Sequence, residues 1–436
     1  MRAETNGPVC MSTIDTPLPV AAPSPPGFRG TRKPSHLTVY VLRIAEAASL
    51  VAFLSFCIMW VQWQTAGPGI SKVSGDFVSF WTAGQLALEG HAGDAYLEVP
   101  HFFKQLALHG DPDWGYLAFF YPPFFLVLSA GFALLGYFPA LVLWLTGTFA
   151  LYVVSIRALI GKGLGEAERI WLLLVGYPAV MVNAGFGQNG FLSAALLGGA
   201  AVWMEQRPEL AGICLGCLAY KPQLGIVVPL ALAVAGRWRC FAAASVTVLT
   251  LAMVATVAFG FGIWPDFIAA MGEARHNWME ADNPLYLQYW ISVFGAVRLH
   301  GGSLTLAYAA QAAVTTAAVF MLVRALWRAP QQAGLRKAEV AAIATCVPFC
   351  SPFILEYDLV ILAVPIAWLL SEALRDGFRR GECLTLLGVF AAPVLFKITL
   401  FDSALKLTVI AAAAALFAAV LRRMLKPDAS RATCRA

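Results

Sequence analysis

Residues 240–262, CFAAASVTVLTLAMVATVAFGFG, hold no charged side chain. A run of that length matches the ~20 apolar residues with which an α-helix, rising 1.5 Å per residue, crosses the hydrocarbon of a bilayer. Similar runs fall at about 38–62, 117–137, 139–160, 170–184, 190–205, 209–220, 222–236, 304–327, 338–350, 353–371, 382–400 and 403–425. Several are shorter than a full crossing, so tilt or partial penetration is expected for them. Of the 436 residues, 59% are hydrophobic and only 13% charged, and mean hydropathy is +0.71. That composition cannot supply the charged surface of a soluble protein this large. The expected class is all-α, a polytopic membrane protein with about 11–13 transmembrane helices.

The net charge of +5 is small and is accounted for by basic loops, so nucleic acid is not an expected partner; membrane lipids are. Arg29, Arg32 and Lys33 precede the first run, and Arg237 and Arg239 sit in GRWR. Arg324, Arg328, Arg336 and Lys337 share one loop, Arg375, Arg379 and Arg380 another, and Arg422, Arg423 and Lys426 follow the last run. With these placed in the cytoplasm, FGQNG (186–190), YKPQ (220–223), the stretch 262–303, SPFILEYD (351–358) and KITLFD (397–402) all fall on the opposite face. One conflict remains in the first half, where one of 117–137, 139–160 and 170–184 must fail to cross.

Residues 1–35 read as a disordered cytoplasmic tail, too polar to be a cleavable signal. Residues 36–426 read as a single transmembrane domain with external loops at 63–116 and 263–303, and 427–436 as a second cytoplasmic tail. The chain is expected in the bacterial inner (cell) membrane with both termini cytoplasmic. Cys214 and Cys217 form C-x-x-C, but no second pair or histidine accompanies them. They read as small packing residues beside the G-x-x-x-G of Gly212 and Gly216.

The polar residues awkward for a membrane protein gather on the non-cytoplasmic face, which marks a site there. DFVSFWTAGQLALEG (76–90) spaces Phe77, Phe80, Trp81, Gly84 and Leu88 as one face of an interfacial helix. Asp76 at its start is either an N-cap or a catalytic carboxylate. A second interfacial helix is expected over 94–109, and FFYPPFF places Tyr121 at the water boundary. GFGQNG (185–190) spells G-x-G-x-x-G but follows a membrane segment and no strand. It reads as a close-packed turn offering Gln188 and Asn189 to a hydroxyl-rich ligand. Lys221 stands before Pro222 in a broken helix, either snorkelling to the interface or holding a phosphate. The loop 263–303 adds Arg275, His276 and Arg298 among aromatics, and Glu356 and Asp358 either hold a cation or cap the helix that follows.

Taken in order, GDFVSFWTAGQLALEGHAGDAYL (75–97), YPPFF (121–125), GFGQNGFL (185–192), LAYKPQLGIVVPLAL (218–232) with RWR (237–239), and SPFILEYDLVIL (351–362) resemble glycosyltransferase family 87. These are integral membrane mannosyltransferases of GT-C fold that use polyprenyl-phosphate sugars. The resemblance implies a catalytic aspartate in the first external loop, which falls on Asp76, and a lipid-phosphate site near Lys221. A polyprenyl-phosphate sugar already carries a good leaving group, so one carboxylate suffices to take the acceptor proton while cations hold the departing phosphate. The expected assignment is Asp76 as base and Lys221, Arg275 and Arg298 on the donor phosphate. Gln188, Asn189, Tyr121, His276 and Asp358 are expected on sugar or acceptor, which would be a glycolipid or a polysaccharide. No cofactor is expected, and no D-x-D or histidine-rich set suggests a metal. The competing reading is a polytopic transporter or lipid flippase, which a chain without internal repeats supports less well.

Overall fold

Long uninterrupted apolar runs become long helices, and prolines divide the rest. The computed structural model describes residues 36–65, 75–110, 113, 115–283, 287–329, 336–398 and 403–425. The two expected tails, residues 66–74 and most of KITLFD lie outside the described residues. Six described helices are long and apolar enough to cross a bilayer: Tyr40–Gln62, Tyr137–Ile160, Trp238–Phe259, Leu304–Arg328, Glu356–Asp376 and Leu407–Leu425. Ala167–Val175 and Pro178–Phe186 form one more candidate bent by 40°. The remaining apolar runs are helices too, but shorter: Pro123–Ala133, Gly190–Trp203, Pro208–Tyr220, Pro222–Val234 and Glu382–Val394, with Arg336–Cys350 buried among them. The protein is therefore all-α and polytopic, and 11–13 segments are reached only by counting these shorter helices with the six.

The first elements are α1 (His36–Thr65), α2 (Gly75–Leu88), α3 (Glu98–His109), α4 (Pro123–Ala133), α5 (Tyr137–Ile160), α6 (Trp171–Val175), α7 (Pro178–Phe186) and α8 (Gly190–Trp203). The topological conflict is addressed by length. The 11 residues of α4 reach about 16 Å, half of a ~30 Å hydrocarbon core, whereas α5 has 24 residues. Pro122 and Pro123 start α4 late, and Gly136 separates it from α5. The two expected interfacial helices are α2 and α3, the latter preceded by a 3-10 turn at Ala92–Tyr96. α2 is more deeply enclosed than an interfacial helix with one apolar face. Val78, Ser79, Thr82 and Ala83 are buried along with Phe77 and Phe80, while Leu88 is exposed. The reason is that α2 packs against α4 on one side and against α3 on the other.

The G-x-x-x-G frame acts as expected. A Cβ on Gly212 would stand 2.4 Å from the Cys240 carbonyl oxygen, and one on Gly216 2.7 Å from that of Ala244. The two backbones approach this closely because neither glycine has a side chain.

The two polar ends of the bundle are separated by the segment Glu356–Asp376. Its 3-10 first half (Glu356–Leu362) begins at the acidic pair and its α-helical second half (Ala363–Asp376) ends at Arg375, a span of about 30 Å. At the Arg375 end the basic loops meet. Arg375 Nη2 donates to Ile160 O (2.6 Å) and Lys337 Nζ to Leu159 O (3.1 Å) at the foot of α5. Arg237 pairs with Glu339 (2.9 Å) and buried Arg423 with buried Glu382 (2.7 Å). The other end carries the candidate site.

Candidate active site at the uncharged-helix ends

Prolines and glycines bring the site together by ending helices where they do. Pro222 has no amide hydrogen and restricts the residue before it. Lys221 is accordingly extended (φ −130°, ψ 77°) between the 3-10 turn Leu218–Tyr220 and the next helical piece. The expected broken helix is present. The α7–α8 turn is close-packed as expected: a Cβ on Gly190 would lie 2.5 Å from Asn183 Oδ1 and 2.7 Å from the Tyr357 carbonyl oxygen. Asn183 ties this turn, accepting from Gly190 N (2.7 Å) and donating to the Gln188 carbonyl (3.1 Å). Trp144 of α5 donates to Gly187 O from outside (3.0 Å).

From this turn a chain of hydrogen bonds runs in both directions. Gln188 Nε2 donates to Asp76 Oδ2 at 2.7 Å, joining α2 to a residue 112 positions later. Gln188 Oε1 accepts from the Asn189 amide (3.0 Å) and from Tyr121 Oη (3.3 Å). Lys221 Nζ donates to Asn189 Oδ1 at 3.0 Å and to Asp358 Oδ1, and lies 5.0 Å from the centroid of the Tyr357 ring. Asp358 Oδ2 accepts from Leu355 N (3.3 Å), so this carboxylate both caps its 3-10 helix and pairs with the lysine. Tyr220 stacks on Phe125 at 5.2 Å and donates to Asn189 O (3.1 Å). Asp76, Tyr121, Gln188, Asn189, Lys221 and Asp358 therefore share one network.

The snorkelling alternative for Lys221 is excluded, because its side chain is 4% exposed and its partner Asp358 0%. Gln188 and Asn189 turn their oxygens toward protein groups, so the expectation that both stand open to a ligand is corrected. Of the side-chain polar atoms of these two residues, Asn189 Nδ2 is the one buried without a well-formed hydrogen bond, and it lies beside the Tyr121 phenol.

Asp76 lies on a helix that is not among the spanning ones. Its residue surface is half-buried, and desolvation pushes its carboxyl up to about 6. The Gln188 hydrogen bond and the charge of Lys221 pull it down, and Asp358 and Glu356 add to the rise. At neutral pH such a group is ionised and still basic enough to accept a proton. Burial and the charges of Asp76 and Asp358 hold the Tyr121 phenol far above its ordinary range, so it stays a hydrogen-bond donor.

Arg275, His276 and Arg298 are not part of this network. Arg275 is exposed and pairs with Glu280 (2.7 Å), and His276 is more exposed still. Arg298 is buried, bonded to Asp282 and to the carbonyl of Gly302 (3.0 Å). These residues staple their own loop, where Phe294 and Trp290 form a separate small core. That loop reaches the site through its backbone: Ile291 N donates to Ile354 O at 2.7 Å, and Trp290 bridges to Leu355 just before Glu356.

Sequence reasoning missed Asn183, Tyr220 and His101. His101 on α3 is fully buried against Thr82 Oγ1 (2.9 Å) and the Ser79 carbonyl (3.2 Å), and burial lowers it to about 4, so a neutral imidazole locks α3 to α2. Asn183 is a lone polar residue in an apolar run, whereas His101 and Tyr220 stand among other polar residues, and in neither setting does the local sequence name the partner.

The family model described as glycosyltransferase family 87 matches residues 119–352, just over half of the chain. Comparison with curated proteins and with solved structures finds no match. The matched stretch contains Tyr121, Gln188, Asn189 and Lys221, while Asp76 and Asp358 flank it. An all-helical polytopic chain fits the GT-C type. On this match the chain belongs to glycosyltransferase family 87 and is a membrane glycosyltransferase.

Proposed function

We propose that the protein moves a sugar, mannose by family resemblance, from a polyprenyl-phosphate donor to an acceptor hydroxyl on a glycolipid or polysaccharide at the non-cytoplasmic face. The observation that carries this reading is the single network joining a basic carboxylate, Asp76, to a buried ammonium, Lys221. Asp76 takes the proton from the acceptor oxygen as that oxygen bonds to the anomeric carbon. The anomeric carbon–phosphate oxygen bond breaks, and its electron pair leaves on the lipid phosphate. A single displacement of this kind inverts the anomeric centre.

Lys221 has three protons, two of them donated to Asp358 and Asn189, and the third serves the phosphate. Asn189, through Nδ2, and Tyr121 beside it are assigned to the sugar or acceptor. Arg275, Arg298 and His276 have no such role in this proposal, since each is committed within its own loop or exposed. No metal takes part in the proposed step, so transfer is expected to persist in EDTA.

The test is Asp76→Asn. It is expected to lower transfer of radiolabelled mannose from a polyprenyl-phosphate donor by about 10²–10⁴-fold with unchanged membrane insertion and thermal stability. Transfer at the parent rate overturns the assignment.

A further inference from the structure

The atom that Gln188 presents to Asp76 is defined by what lies on its other side. Oε1 receives the Asn189 backbone N–H, which can only donate, so the atom there must be the carbonyl oxygen. The atom 2.7 Å from Asp76 Oδ2 is then the NH₂, a donor. The Gln188 amide cannot flip without facing two donors with each other at one end and two acceptors at the other. Its backbone is equally held, with N bonded to Asn183 O (3.0 Å) and O to Asn183 Nδ2 (3.1 Å). The side chain is buried. A rigid, one-way donor is therefore built against one oxygen of a carboxylate that heads a helix from a distant part of the chain.

We propose that Gln188 is a positioning residue for the base. It clamps Oδ2 of Asp76 so that the carboxylate stays ionised and turned with Oδ1 toward the acceptor hydroxyl. This rests on Asp76 being the base, and it replaces a sugar-binding role for Gln188 with one exerted through Asp76. A donor to the ionised form favours that form, and its loss disfavours it. The charges that reach Asp76 are Lys221, Glu356 and Asp358, with the phenols of Tyr121 and Tyr357 sensing it in turn. From the elements packed on the rest of α2, His101 faces Ser79 and Thr82, and Tyr96 donates to the Tyr121 carbonyl (2.9 Å). Among these neighbours, Gln188 is the one whose side chain is hydrogen-bonded to the Asp76 carboxylate.

The experiment is the pH dependence of kcat for mannose transfer from a synthetic polyprenyl-phosphate mannose to a saturating lipid extract of the parent membranes. The parent protein is expected to lose activity as pH falls through about 6, where Asp76 takes up a proton. Gln188→Met keeps the length and removes the donor. Its acid limb is expected to move up by about one pH unit, with activity regained on the alkaline side and donor KM unchanged. Gln188→Glu is expected to move it further, because two adjacent carboxylates do not readily ionise together. Tyr121→Phe, which removes the donor to the far end of the amide, is expected to move the limb less and in the same direction. It stands in if the Gln188 variants do not fold, with the limb position alone as its readout because Tyr121 is also assigned to the sugar or acceptor.

A uniform loss of kcat with an unmoved limb, or a raised donor KM with an unmoved limb, overturns the proposal. An inactive Asp76→Asn beside an unmoved limb in Gln188→Met removes only the role of Gln188. A fully active Asp76→Asn removes the underlying assignment of the base.

Discussion

Lys221 and Asp358 form a buried ion pair, and that pairing decides how the lysine should be tested. Removing one partner of such a pair strands the other charge in a low-dielectric interior, at a typical cost of about 3–5 kcal/mol. Lys221→Ala alone is thus expected to lower the thermal midpoint in detergent substantially, and any loss of transfer in it is ambiguous. Lys221→Ala with Asp358→Asn removes both charges and is expected to recover most of that stability, leaving donor KM raised if the ammonium holds the phosphate. A double variant with parent donor KM would count against the phosphate role. Asp76 differs from this pair. Its partner is a neutral amide, so Asp76→Asn is the milder structural change and the cleaner test of chemistry.

At the level of elements, the site depends on helix ends held by close backbone contact. The helix Pro208–Cys217 brings Tyr220 and Lys221 into place by lying directly on Trp238–Phe259 at Gly212 and Gly216. Gly212→Val would put side-chain atoms where the Cys240 carbonyl and Ala243 stand. Overpacking of this kind typically costs about 1–3 kcal/mol. The expected result is a lower thermal midpoint and a reduced kcat, while Gly225→Ala, whose Cβ would meet its nearest neighbour at 4.0 Å, should leave both near the parent values. Parent-like behaviour in Gly212→Val would show that the two helices can separate at no cost. The lock of α3 onto α2 through His101 has the same logic on the other side of Asp76: it limits where the first turn of α2 can sit.

For the whole molecule, the basic cluster and the acidic–amide network at opposite ends of Glu356–Asp376 give the orientation proposal a direct check. In a cysteine-free background, His91→Cys and Arg380→Cys place exposed thiols at the two ends. An impermeant maleimide is expected to label the first in intact cells and the second only after permeabilisation, and the reverse pattern would invert the orientation. The spans themselves were legible in the sequence, because a helix that satisfies its own backbone and shows apolar side chains to lipid needs no partner to declare it. Trp238–Phe259 and Tyr137–Ile160 follow from local composition alone. So did the break before Pro222, the tight turn at Gly190 and the G-x-x-x-G contact, each set by the backbone chemistry of one or two residues. The sequence also nominated Asp76, Gln188, Asn189, Lys221 and Asp358, since polar groups are costly at that depth. What it left open was partnership: that Gln188 reaches Asp76 and that Lys221 reaches Asp358, while Arg275 and Arg298 turn back to Glu280 and Asp282. Hydrogen bonds between residues 112 and 137 positions apart depend on how the helices pack, which no local pattern encodes, and only the tertiary structure decided them.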